Sequence, residues 1–578
     1  MKTKALYLTA ALMMLMLGFS GCKMDFVPGD ELSSDLLLQD PKGAEYIMDG
    51  CYAVLKDEVE FLGYSSANCY VRHYLQLSEF PADNICLSAH TTDPLYEATA
   101  YMMNDGLKNV GTLWMIAYKV IYMANTVIET LDENNADSHQ LLGEAYFMRG
   151  LMHFHLVTLY AKAYTFGRDN LGVPLRTSTE AEVTKRDPVG DVYDQIVKDL
   201  RKAADLMGPS RGNAGYPCKD AALGILSRVY LYMGDEENLN NCINVVNEML
   251  NGADPSTKLE PTATFPSYFA NAKTSKETLF CIAHEITDDR GQGSIGSMYL
   301  KDGIGWGEIY PSDPLLYLYK RYPTDVRYTG FLMPQYKEGS NDLYAYFPDP
   351  ASMSEESGSV KLKYKVTDDG AGNYSFKDDN NVTRNIEKRT IKGEYYEYHV
   401  NMDGKDCLVW IDKEMILRTG YSFPMIFVNK FSYQDGNPML SSPVFCRWGE
   451  VILNRAEAYA HLGKVDEALA DVNVIRTRAG IPAEGLFSAG NMHGYTGIND
   501  PEIGTCTAVE EVVYDERRLE LAFEGHRMFD VYRNKLNMDR RYAGAQPWKL
   551  VPYTEPHIQY PIPNNEWTVS GIEQNPGY

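Results

Sequence analysis

Three glutamates, Glu516, Glu520 and Glu524, recur at i, i+4 and i+8 in the stretch EVVYDERRLELAFEGHRMFDVYR. On a helix that spacing stacks the carboxylates along one face, an arrangement from which an acid–base pair could be built. Each has a cation within reach in Arg517, Arg518, Arg527 or Arg533. Such pairing depresses carboxylate pKa values, whereas a general acid needs a raised one, so the stretch reads as a structural ion-pair network. His153 and His155 sit two apart on a predicted helix. Their rings point to different faces and cannot chelate one ion together, which leaves packing or surface roles. The chain carries no HExxH, GxSxG, P-loop or dinucleotide fingerprint. Cysteines 51, 69, 86, 218, 242, 281, 407, 446 and 506 stand singly without a CxxC. They read as small buried hydrophobes of a reduced chain, not as a zinc site or disulfide framework. No catalytic residue, cofactor or metal is expected.

The residues suited to recognition lie elsewhere. Gly303-Ile304-Gly305-Trp306-Gly307 has the glycines of a phosphate loop but lacks the following Lys-Ser/Thr, and reads as a flexible loop presenting an indole. A flat apolar ring with amides and tyrosine hydroxyls at its rim matches a sugar, whose ring has apolar C–H faces and hydroxyl edges. Tyr64, Tyr96, Tyr101, Tyr299 and Tyr310, with His90 and Arg290, are further candidates. The chain has 42 Tyr against 20 Phe and 6 Trp, a large supply of such rings. A formal charge of -25 argues against nucleic acid and anionic membrane surfaces, which recruit Lys and Arg.

Loops of this kind need a frame, and its clearest part is Arg447 to Gly480. Apolar or small residues recur at helical spacing through Val451, Leu453, Ala456, Tyr459 and Ala460, pause at Leu462-Gly463, and resume through Val465, Ala468, Leu469, Val472 and Ile475. The order small–aromatic–small is that of a tetratricopeptide (TPR) hairpin, with Gly463 at the helix end. Such a hairpin cannot bury its apolar face alone, which predicts a partner, and Tyr230, Gly234, Leu239, Ile243 and Val246 repeat the pattern within 218–251. Further helices are expected over Pro41–Leu55, around Trp114, Tyr118, Ile121 and Asn125, and over Ser138 to about Ala163. Another opens at Asp187 as N-cap with Pro188 in first position, and the last spans roughly Ala508–Tyr532. Residues 56–111 read as long loops. About 265–445 reads as loops and short strands, with 334–415 the expected insertion.

At the N-terminus, Lys2 and Lys4 precede an uncharged, mainly apolar run, Ala5–Phe19, that ends in Ser20-Gly21-Cys22. The run is too short to span a bilayer and predicts a signal peptide over 1–21, with 22–40 a polar tether. Its end resembles a bacterial lipobox with Cys22 as the lipidated first residue, though Phe19 stands where Leu is usual. No later stretch reaches transmembrane length, so the expectation is a chain anchored to a membrane and not spanning it. Residues 41–578 are expected to form one domain, helical mainly over 41–251 and 446–535.

Taken in order, these features resemble the SusD/RagB family of outer-membrane lipoproteins. The matches include Cys22, Trp114…Tyr118…Asn125, Arg149-Gly150, Gly172-Val173-Pro174-Leu175, Asp325-Val326-Arg327, Arg447…Glu450 and Arg476…Arg478-Ala479-Gly480. The most specific are Glu516-Arg517-Arg518-Leu519-Glu520-Leu521-Ala522-Phe523-Glu524-Gly525-His526-Arg527, Tyr560-Pro561-Ile562-Pro563-Asn564 and the closing Gln574-Asn575-Pro576-Gly577-Tyr578. Met528 departs from the family's usual Trp. The resemblance implies a mainly α fold with four TPR-type hairpins as scaffold and an irregular, loop-rich region with short strands. It also implies a non-enzymatic, surface-exposed lipoprotein of the outer membrane that binds an oligosaccharide and lids a SusC-like TonB-dependent transporter. By position, it points to Tyr96, Tyr101 and Trp306 as ligand contacts. A RagB-like peptide carrier, a secreted glycoside hydrolase using Asp288 or Asp289, and a TPR scaffold for protein alone are the rival readings.

Overall fold

The computed structural model describes residues 40, 42–56, 59–61, 64–66, 69–87, 96–181, 185–300, 304–351, 361–418, 423–544, 546–547 and 549–578. The expected signal peptide, Cys22, His90 and Gly303 lie outside them. The chain divides into two compact units, Met1–Tyr46 and Ile47–Tyr578. In the first, the described residues open the helix Gly43–Val54, and the Lys42 N–H donates to Asp40 Oδ1 at 2.8 Å.

The second unit is framed by helices α1 (Cys69–Glu79), α2 (Lys108–Thr130), α3 (His139–Tyr160), α4 (Val189–Leu206), α5 (Lys219–Met233) and α6 (Glu236–Leu250). These are followed by α7 (Asp313–Lys320), α8 (Trp448–His461), α9 (Val465–Arg478), α10 (Ala508–Leu521) and α11 (Arg527–Arg533). Helices α2 to α6 each pack on the next, and α6 packs on α8, which meets α9 and α10. The two hairpins expected from sequence are therefore α5–α6 and α8–α9, and each covers the other. Leu231, Leu239, Cys242, Ile243 and Ala458 form one buried cluster flanked by Tyr230 and Tyr459. Both hairpin turns use a left-handed glycine, Gly234 at φ 74° and Gly463 at φ 69°. A buried fork joins them, Arg228 donating to both Glu450 oxygens at 2.6 Å. An equivalent fork, Arg149 to Asp199 at 2.8 and 2.6 Å, ties α3 to α4.

Sequence and structure part at three helices. Residues 56–111, read as loops, contain α1, which is buried nearly all round. His73, Gln76, Ser78 and Glu79 are polar yet buried, so a segment that reads as surface loop is packed inside. Asp187 does not cap α4, whose N-cap is Pro188, because its carboxylate accepts the Leu175 N–H at 2.8 Å instead. The last helix breaks after Leu521, where Phe523 (φ 70°) and Gly525 (φ 77°) turn left-handed and donate their N–H groups to buried Glu79 at 3.1 Å each. Glu524 thus lies beyond the helix that carries Glu516 and Glu520.

The ion-pair network exists, with partners other than the neighbouring arginines. Glu516 pairs with Arg327 (2.7 Å) and Arg476 (2.9 Å). Glu520 pairs with Arg447 (2.6 Å), Arg327 (3.3 Å) and Arg478, and Glu524 with Arg447 (2.8 Å) and Lys430 (2.7 Å). Arg517 and Arg533 turn instead to Glu457 and Asp530, and Arg518 and Arg527 to Asp83. Burial would raise the Glu524 pKa, but Arg447 and Lys430 outweigh it and bring it down to about 2. His153 and His155 are both buried and neutral, desolvation holding His153 down at about 3.

Within the region read as loops and short strands, residues 343–413 form one seven-stranded antiparallel sheet. With β1 (Ile85–Leu87) and β2 (Ile309–Pro311) preceding it, its strands are β3 (Leu343–Pro348), β4 (Lys361–Lys365), β5 (Thr367–Asp368), β6 (Tyr374–Lys377), β7 (Thr383–Lys392), β8 (Tyr395–Met402) and β9 (Lys405–Lys413). The order is β4-β3-β9-β8-β7-β6-β5. The outermost strands, β4 and β5, are consecutive through Val366, so the sheet curls back on itself around Ala345, Phe347, Val366, Phe376, Val400 and Val409.

Candidate ligand-binding site

One strand pairing places the end of β1 beside the start of β2. Strands β1 and β2 run antiparallel, with Cys86 opposite Tyr310 and Leu87 opposite Ile309. The chain leaving Leu87 toward Tyr96 and the chain arriving at Ile309 from Trp306 therefore emerge at the same end of the ladder. Beneath it Cys86, Tyr310, Phe423, Phe427 and Tyr542 form a buried cluster, and the Tyr542 hydroxyl donates to Ile85 O at 2.8 Å.

Trp306 is the exposed aromatic of this end, with 44% of its surface accessible. It is held, not loose. The Trp306 N–H donates to Ser297 O at 2.6 Å, the indole Nε1–H to Gln292 O at 3.3 Å, and Gly307 N–H to Leu300 O at 2.8 Å. Gln292 Nε2 donates in turn to Ile304 O at 2.8 Å. Residues 304–307 are thus pinned against Gln292–Leu300, in place of the flexible presentation expected from the glycines. Gly305 makes this approach possible, since a Cβ there would run into Ser297 O. A ring fixed in this way loses little freedom when it stacks on a ligand. Gly305→Ala is expected to lower stability by about 1–3 kcal/mol through overpacking and to speed hydrogen exchange at the Trp306 and Gly307 amides. Unchanged exchange at both would contradict the pinning.

The other candidates divide. Tyr96, half-buried, opens the short helix Tyr96–Ala100, and burial raises its pKa. Arg290, half-buried, leads into the turn Gly291–Gly293 that carries Gln292. Tyr64 lies in a strand, Tyr64–Ser66, paired with Val59–Phe61. Tyr101, Tyr299 and Tyr310 are buried and present no ring to a ligand. The Tyr101 hydroxyl bonds Pro81 O at 2.7 Å and Tyr532 Oη at 2.6 Å, which holds its backbone at φ 52°. Tyr299 stacks on Phe431 with centroids 5.3 Å apart, and Tyr310 donates to Gly307 O at 3.0 Å from below the loop. Gln292 and Ser297, which aim the indole, act through main-chain oxygens, and a main-chain acceptor leaves no mark in a sequence.

Asp288, one of the acidic residues nearby, is unsuited to act as a general acid. For Asp288 burial acts upward, but the Glu285 N–H and the Lys56 ammonium at 2.6 Å outweigh it and hold its pKa below the usual range. Asp289 Oδ2 accepts from Asn437 at 2.7 Å and its Oδ1 from the Gly291 N–H at 2.8 Å. Among the described residues no group of His, Cys, Asp and Glu is placed to hold a metal ion, and no helix is long and apolar enough to cross a membrane.

Comparison with known proteins gives a consistent picture. Residues 284–578 match the model of the SusD family, and residues 63–231 match a family described as starch-binding and associating with the outer membrane. SusD-like protein P2 of Formosa agariphila is 25% identical over 493 residues, covering 83% of each chain. SusD-like protein P38 of the same organism is 21% identical over 432 residues, covering 73% of this chain and 71% of its own. Among solved structures, a SusD superfamily protein of Bacteroides thetaiotaomicron aligns with a TM-score of 0.67 at 21% identity, covering 93% of this chain and 99% of its own. A SusD-like carbohydrate binding protein of Bacteroides vulgatus aligns with a TM-score of 0.61 at 19% identity, covering 91% and 96%. The mainly helical frame is thus shared at low identity.

Proposed function

This chain belongs to the SusD family, and we propose that it is a cell-surface lipoprotein, anchored through Cys22, that captures an oligosaccharide and delivers it to a SusC-like TonB-dependent transporter. In this reading it lids the transporter and performs no chemistry on the glycan. The observation that carries it is the exposed Trp306 indole, held by main-chain bonds at the end of the β1–β2 ladder. A sugar ring lays its C–H face on the indole, with Arg290, two residues before Gln292, and Tyr96 as the candidates to bond its hydroxyls. Membership of the family supports the transporter partner and the outer-membrane location.

The test is a defined array of plant, algal and host oligosaccharides, with each hit titrated calorimetrically against wild type and Trp306→Ala. The variant is expected to bind at least about tenfold more weakly, roughly 1.4 kcal/mol. Equal affinity would remove Trp306 from the site. Binding of peptide mixtures with no glycan hit would replace the oligosaccharide reading with peptide capture.

A further inference from the structure

A second aromatic recess lies far along the chain from Trp306 and shares no lining residue with the site above. It is a cleft of about 430 Å³, bounded on one side by α7 and the chain that follows it to Tyr336, and on the other by strands β8 and β9. That volume falls within the range of small-ligand sites, and the cleft has their make-up, aromatic walls around a few convergent polar groups. A larger open groove, about 890 Å³ beside Arg168, Asp235 and Asn534, lacks such walls and nothing in it distinguishes a ligand.

The polar centre of the cleft is Asp412. One carboxylate oxygen, Oδ2, accepts from the Tyr328 hydroxyl at 3.1 Å and the Tyr336 hydroxyl at 3.4 Å, and pairs with the Lys320 ammonium. The Lys320 ammonium also lies 5.1 Å from the Tyr328 ring centroid and 5.4 Å from that of Trp410. Two rings of the lining are partly exposed, Tyr336 at 39% and Tyr396 at 40%, the latter with one face taken by the Lys388 ammonium 3.6 Å from its centroid. Trp410 is the opposite case. It is 2% exposed and stacked on Tyr346 at 4.4 Å, yet its indole N–H has no hydrogen-bond acceptor among the described residues. A buried donor without an acceptor is a standing penalty unless something supplies one.

We propose that this cleft is a second oligosaccharide-binding subsite, in which Tyr336 and Tyr396 stack on sugar rings and the Asp412 centre bonds their hydroxyls. The ligand class rests on the glycan reading of the Trp306 site, whereas the location rests on the cleft alone. A neutral polyhydroxylated ring suits it because each charged group of the lining already has a partner, Lys320 with Asp412, Arg321 with Asp515 and Glu394 with His493. Two subsites on one chain let a single long glycan, or two short ones, be held with an avidity that neither site reaches alone.

The experiment titrates a short oligosaccharide taken from the array hits into wild type, Trp306→Ala and the double variant Tyr336→Ala/Tyr396→Ala. Both tyrosines are partly exposed, and circular dichroism checks that the double variant is folded. Wild type is expected to bind two equivalents, and each variant one, with affinity at the altered site down at least tenfold. A double variant that matches wild type in stoichiometry and affinity overturns the second subsite and leaves the Trp306 reading standing. A wild type that binds no glycan overturns both. Loss of binding in the double variant with no change in Trp306→Ala upholds the cleft and removes Trp306 instead.

Discussion

Arg447→Ala is expected to destabilise the fold by about 3–5 kcal/mol, the scale for breaking a buried ion pair. Arg447 reaches three carboxylates from one buried position: Glu277 at 3.0 Å, Glu520 at 2.6 Å and Glu524 at 2.8 Å. It also donates to the Glu520 main-chain oxygen at 2.8 Å. Its removal leaves negative charge in a space that water cannot enter, and Lys430, Arg327 and Arg478 are already engaged. Arg541→Ala is the control, because its partners Glu502 and Asp539 are solvent-exposed and such pairs are worth at most about 1 kcal/mol. Urea unfolding of the two variants measures the contrast. Similar losses in both would show that the buried network is no stronger than a surface pair.

Acidification is expected to unfold the protein by about pH 4, through groups buried in its core. Two sets of groups act in the same direction. Burial pulls Glu524 and Asp83 upward, but their cation partners outweigh it and hold both at about 2, so the stability they contribute is present above about 4.5 and is lost as pH falls toward 2. His73 and His153 are held at about 3, and His284 and His526 at about 4, in each case chiefly by desolvation. In the unfolded chain these rings gain a proton near 6.5, so their contribution is lost as pH falls through the window from 6.5 to about 3. A tenfold difference in proton affinity between the folded and unfolded chain is worth about 1.4 kcal/mol, and several buried groups together rival the roughly 5–15 kcal/mol of a typical domain. Glu79 opposes them. Burial lifts it to about 7, so its contribution is full below about 4.5 and lost as pH rises through 7. One such group does not offset the rest. The near-UV circular dichroism signal, expected to be native at pH 7 and lost by about pH 4, is the check. A native spectrum at that acidic point would mean that the buried histidines accept protons without unfolding.

The frame was legible in the sequence where one hairpin repeats the pattern of another. Tyr230, Gly234 and Leu239 repeat the spacing of Tyr459, Gly463 and Ala468, and the two hairpins pack on each other as a face that cannot be buried alone requires. Helix α1 escaped because tertiary contacts bury its polar His73, Gln76, Ser78 and Glu79. The break after Leu521 escaped because its cause, Glu79, comes from a distant segment and replaces helical hydrogen bonds with its own. In the candidate site, Gly305 has a physical reason that its sequence context hints at, since its backbone lies too close to Ser297 O for any Cβ. Tyr101, Tyr299 and Tyr310 have the same chemistry as surface tyrosines, and only tertiary contacts send them inside. The Asp412 cleft draws on residues from Tyr317 to Asp412, and no local spacing announces such an assembly.

The curled sheet begins and ends at the same place. Leu343 on its first strand is paired directly with Lys413 on its last, so the chain enters and leaves through two neighbouring backbone positions. Such a segment is a cassette. It can be shortened, lengthened or exchanged while the helices on either side keep their spacing, because the gap to be bridged is only the width of one strand pair. A scaffold with an inlet of this kind can be refitted for a new ligand by changing one block of sequence, without any revision of the charged core that holds it upright.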